Sequence, residues 1–117
     1  MACLFIAGCS RPSAANQVRI EHEVTPQPAK VGAMTINLRL SDKTGRAVEG
    51  ASIRIEGDMT HPGMPPTVAD AAEVAPGLYR GQLELSMAGD WVVVSHITLQ
   101  SGETMVDQFD LQGVQQK

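Results

Sequence analysis

From Val18 onward, hydrophobic and polar residues alternate with a period of two, broken by short runs of Gly, Pro, Asp and Ser. That period puts successive side chains on opposite faces of a β-strand, so each run reads as a strand with one face against a core. Val18, Ile20 and His22 share one face of a first strand, opposite Arg19, Glu21 and Glu23. Residues 25–32 follow with two prolines, which lack N–H donors, so this stretch is a crossing loop or an edge segment.

Met34, Ile36, Leu38 and Leu40 form the apolar face of a second strand, closed by a turn at 42–45 that ends in Gly45. A third strand covers Ala51 through Gly57, with Ala51, Ile53 and Ile55 inward. A Pro-rich loop from Asp58 to Pro66 leads to a weaker fourth strand at Thr67 to Glu73. After the Pro76-Gly77 turn, Tyr79, Leu83 and Leu85 share a face of the fifth strand. Residues 88–90 turn the chain into a sixth strand, Trp91 through Leu99, and Met105, Phe109 and Leu111 mark the last.

Seven short strands with turn residues between them and no helical periodicity predict an all-β, immunoglobulin-like β-sandwich over residues 18–112. A small closed barrel is the rival architecture. Residues 113–117 read as a polar tail.

Composition narrows the picture. The 117 residues suit one domain, and with aromatics at 3% the core is built from Val, Ile, Leu and Met around Trp91. Nine Lys or Arg are dispersed among thirteen Asp or Glu, a net charge of −4, which leaves no basic stripe for phosphates and argues against nucleic acid as a partner.

The first residues obey a different rule. Leu4 to Gly8 is an apolar run ending in small residues before Cys9, far below the ~20 residues a membrane-spanning helix requires, and a polar stretch follows. Ile6-Ala7-Gly8-Cys9 resembles a lipobox, in which the cysteine becomes the acylated first residue of the mature protein. Residues 1–17 are then a signal remnant and tether, Cys9 is the lipidation site, and Cys3 leaves with the signal. The mature domain would contain no cysteine for disulfides or thiolate metal sites. The expected location is the periplasm or cell surface, anchored to a membrane, the outer one in a Gram-negative envelope.

The remaining chemistry is in the methionines. Met59, His61 and Met64 fall within six residues of one loop, and Met87 ends the fifth strand. Thioether and imidazole donors suit Cu(I) rather than Mg or Ca. In an up-and-down arrangement the third and fifth strands end at the same rim, so Met59, His61, Met64 and Met87 can converge there. By parity Met59 and Met87 continue the buried faces of their strands. Rim methionines also serve as gap-filling core residues. His96 lies well down the sixth strand on the face opposite Trp91, whereas His22, near the end of the first, could approach the rim.

Three segments, Pro62-Gly63-Met64, Gly77-Leu-Tyr-Arg-Gly81 and Ser86-Met-Ala-Gly-Asp-Trp91, together resemble the YtkA-like family, related to FixH-type periplasmic domains. The resemblance spans roughly Val18 to Leu99. It implies an immunoglobulin-like sandwich from copper-related envelope systems, including oxidase assembly and metal efflux, with Met64 and Met87 at metal-facing positions.

Hydrolytic chemistry needs a nucleophile with a positioned base and an orienting acid, and none of His22, His61 and His96 has such neighbours on the strand map. With no phosphate loop and no zinc spacing, the chain is not expected to be an enzyme. The expected function is an envelope Cu(I)-binding or copper-carrier protein whose partner is a metal-handling or oxidase-assembly protein. The alternative is a metal-free interaction module that docks on a membrane efflux or oxidase-assembly complex through a sheet edge or the Pro-rich loop.

Overall fold

The structure, a computed structural model, describes residues 18–60, 63 and 65–116. Seven strands follow one another: β1 (Arg19–Thr25), β2 (Gly32–Ser41), β3 (Ser52–Met59), β4 (Thr67–Ala75), β5 (Leu78–Leu85), β6 (Gly89–Thr98) and β7 (Thr104–Val114). Among the described residues there is no helix, so none is long and apolar enough to cross a membrane.

The spatial order is β1-β2-β5-β4-β3-β6-β7, with every neighbouring pair antiparallel. β4 makes the corner between the two layers. Its first half, Thr67 to Ala71, pairs with β3, and its second half, Ala72 to Ala75, pairs with β5 across a register shift. A strand that changes partners midway folds one ribbon into two packed faces. The result is the all-β, immunoglobulin-like sandwich that the alternation predicts.

The core lies between the layers. Met34, Ile36, Leu38 and Leu40 from β2, Tyr79, Leu83 and Leu85 from β5, and Trp91, Val93 and Ile97 from β6 are buried in strict alternation. One polar side chain joins them: the Ser95 hydroxyl is buried and has no hydrogen-bond partner among the described residues.

The sheet is nearly closed but is not a barrel, because β1 and β7 are its two ends and do not pair. Backbone pairing crosses this gap only beyond their ends. Val31 N–H donates to the Gln115 carbonyl at 2.8 Å and Gln115 N–H to the Ala29 carbonyl at 2.9 Å, a parallel bridge of Lys30 with Gln115. The Pro-containing stretch is therefore an edge segment. β7 also runs past Gln112 to the buried Val114, so the polar tail begins later than composition suggests.

The two ends of the sandwich carry different things. At one end β1 begins, with Arg19 opposite Ser41. The other end collects the end of β3 at Met59, the start of β4 opposite Gly57, the end of β5 at Leu85 opposite Gly32, and Gly89 opposite Val114.

Tyr79 ties the β2–β3 connection to the core. Its hydroxyl donates to the Val48 carbonyl at 2.8 Å and accepts from Ala51 N–H at 3.1 Å. Burial raises the phenol pKa above the ordinary tyrosine value. A raised folded-state pKa means this group's stabilisation is complete below the unfolded-state value and is lost as pH climbs through the folded one. Tyr79→Phe should therefore lower unfolding free energy by about 1–2 kcal/mol at neutral pH and flatten the loss of stability above about pH 10, read by urea denaturation across pH.

Candidate metal centre at one end of the sandwich

Met59 is the last residue of β3 and stands opposite Trp91 in the β3–β6 ladder. It is half-buried and packs against the core, as the parity of Ile53 and Ile55 requires. Gly89, the first residue of β6, makes room for it. A Cβ on Gly89 would lie 3.1 Å from the Met59 Cε, and the φ of 130° at Gly89 is itself one that side chains disfavour.

Met87 reaches the same end by another route. β5 stops at Leu85, so Met87 falls in the bend before Gly89. The Trp91 indole N–H donates to the Met87 carbonyl at 2.9 Å, which folds the bend back over the buried ring. Met87 as a residue is 44% exposed. The alternation ends before it reaches this residue, so Met87 is an exposed residue of the bend rather than a buried one under the rim. Met59 and Met87 thus flank one short structural unit, Gly89 to Trp91.

The other two sequence candidates, His61 and Met64, lie outside the described residues, as does Cys9. The loop that carries the first two is held at its flanks: Thr60 N–H donates to the Asp90 carbonyl at 3.3 Å, and Thr67 stands opposite Gly57. Both flanks are at the end that holds Met59 and Met87.

The remaining histidines lie elsewhere. His96 is on the outer face of β6, with Nε2 3.3 Å from Glu56 Oε1. Asp58 adjoins this pair, and burial, followed by the Glu56 carboxylate, raises its pKa above the ordinary range. Asp58 is thus turned to the outer face, away from Met59. His22 stacks on Phe109 with ring centroids 3.9 Å apart and planes within 5°, which assigns it to the gap between β1 and β7 rather than to the rim.

Among the described residues no three His, Cys, Asp or Glu come together in a way that could hold a metal ion. What this end offers is sulfur. Met59 and Met87 each bring one thioether to this end, and thioether sulfur is a soft donor of the kind that prefers a soft monovalent ion to a hard divalent cation. Gly89, the residue that admits Met59, is marked in the sequence only as a glycine two residues before Trp91.

Among solved structures, the soluble domain of PmoD from Methylocystis sp. (strain Rockwell) is similar to this chain, with a TM-score of 0.51 at 10% sequence identity over 81% of this chain and 89% of that one. At that identity the likeness concerns the fold. No curated protein matches the chain. The family model described as YtkA-like matches residues 13–96, which takes in β1 through most of β6, the end with Met59 and Met87 included, and the chain belongs to the YtkA-like family.

Proposed function

We propose that this protein binds Cu(I) as cargo at the methionine-bearing end of the sandwich and hands it to another protein of the cell envelope. The observation that carries the reading is the common position of Met59 and Met87 beside Gly89 and Trp91, with the flanks of the His61 and Met64 loop at the same end. Thioethers prefer the reduced ion and release it to stronger ligands, which suits carriage better than turnover. Membership of the YtkA-like family and the Cys9 lipobox pattern support an extracytoplasmic domain tethered to a membrane through Cys9.

In this reading Met59 is the positioned donor and Met87 the exposed one that meets the incoming ion, with His61 and Met64 completing the set. The protein's own contribution is to hold two sulfurs on a rim fixed by the β3–β6 ladder and the indole bond. Titration with Cu(I) against a competing chelator tests it. The wild-type chain is expected to form a complex tighter than micromolar, and the Met59→Ala, Met87→Ala and the Met64→Ala, Met87→Ala double variants should each weaken it by more than about tenfold, or ~1.4 kcal/mol. A wild-type chain that forms no complex tighter than micromolar overturns the proposal.

A further inference from the structure

The gap between β1 and β7 is the most unusual surface of this fold. Each strand is the end of the sheet and has one unpaired edge, and the two edges face each other across a cleft of about 470 Å³ lined by residues such as His22, Val24, Gln27, Phe109 and Leu111. The parallel bridge of Ala29–Val31 with Gln115 closes this seam at one end only. Along the rest of β7, from Met105 to Leu111, no strand covers the edge. The chain's own residues thus begin a parallel pairing along β7 that nothing in the described residues continues.

At the β1 side, the Gln27 side-chain amide donates to the Val24 carbonyl at 2.8 Å. A bond of that kind is what a neighbouring strand would make, and it marks the Val24 carbonyl as turned away from β2 into the cleft. The His22 ring spans the gap to Phe109, and it belongs to an exposed residue that can swing aside.

Charge decides what fits. None of the residues lining the cleft is Lys or Arg, while Glu23 and Asp110 are among them. A third carboxylate is more telling. Asp107 stands opposite the buried Ser95, so its side chain is on the core-facing side of β7, where it is half-buried and has no ion-pair partner among the described residues. An inward-facing charge on an edge strand repels an apolar or acidic strand and accepts one that brings a cation. A second copy is disfavoured as occupant, because its β7 edge carries Asp107 and Asp110 with no cation, and on its β1 edge Glu21 and Glu23 outnumber Arg19.

We propose that the seam between β1 and β7 receives one extended, cationic segment of a partner protein, which continues along β7 the parallel pairing that Ala29–Val31 begins. Backbone pairing supplies the attachment, and Glu23, Asp107 and Asp110 select the charge. The inference stands apart from copper, since the seam and the methionines are separate surfaces.

The full chain, labelled for amide spectroscopy, is titrated with a short peptide of alternating Lys and Thr. Saturable shifts are expected at residues 22–24 and 105–111, with weakening of about tenfold in Asp107→Lys and a smaller loss in Asp107→Asn, whose spectrum checks the fold. A peptide of alternating Lys and Pro carries the same charge but lacks half of the backbone donors, and it should not bind the seam. The Met59→Ala, Met87→Ala variant should bind the Lys-Thr peptide as the wild type does. Equal binding of the Lys-Pro peptide, shifts confined to another surface, self-association through the seam, or no binding would each overturn the proposal, and none of these results bears on the copper titration.

Discussion

Trp91→Ala should lower the unfolding free energy by about 3–5 kcal/mol, the range for removing a large aromatic from a packed core. Three observations set the size. Trp91 is 1% exposed, it is the single tryptophan in a chain with 3% aromatic residues, and it stands between Met59 and Leu111 in the ladders with β3 and β7. A core of aliphatic side chains from short strands cannot collapse into the void of an indole, so the cavity persists. A domain of this size has a total stability of about 5–15 kcal/mol, so the variant would sit near its unfolding threshold at room temperature. Because the substitution removes the only tryptophan, the check is urea denaturation followed by far-ultraviolet circular dichroism. Trp91→Phe separates packing from the hydrogen bond to the Met87 carbonyl and should cost roughly half as much.

Gly77→Ala is expected to be nearly as damaging, by about 3 kcal/mol, although it adds a single methyl group. Gly77 has a φ of 76°, and a Cβ there would lie 2.8 Å from the Leu40 carbonyl oxygen and 2.8 Å from the Ala47 Cβ. The backbone cannot retreat. Gly77 accepts from Leu40 N–H at 2.8 Å and donates its own N–H to Glu73 Oε2 at 3.1 Å. Gly45→Ala is the matched control, since Gly45 has a φ of 90° and nothing within 4 Å of a Cβ. It should show the left-handed conformational cost alone, about 1 kcal/mol. Equal losses in the two variants would mean that the contact with β2 carries no weight.

Much of the fold is legible in the sequence because alternation is a local signal. β2, β5 and β6 are buried on one face without exception, and their positions follow from Met34 to Leu40, Tyr79 to Leu85 and Trp91 to Ile97. β4 was harder to read. Its segment Thr67–Ala75 is rich in Ala and almost wholly unburied, because it is the strand that leaves one layer for the other, so no single face is committed to the core. The seam was not legible at all. Nothing local in Phe109 or His22 says that they meet, since their contact depends on how the two ends of a seven-stranded order come round to face each other.

The candidate site divides in the same way. Strand parity and the return of β4 bring the ends of β3 and β5 to one rim, which any up-and-down sandwich would do. The exposure of Met87 depends instead on where β5 stops, and that is set by the pairing of Leu85 with Gly32 at the very start of β2. Pairing partners of that kind are distant in sequence and leave no mark on the periodicity of either segment.

The opposite poles of the sandwich fix an orientation. β1 starts at one pole, whereas Met59 and Met87 are at the other, where β7 finishes. An attachment made upstream of Val18 would hold the sulfur-bearing pole outward like the head of a buoy on its mooring line, with the width of the domain between the ion and the bilayer. If the proposed cargo is bound there, delivery would run to a receiver that projects into the aqueous compartment, and a polyhistidine tag appended after Lys117 would compete for the ion.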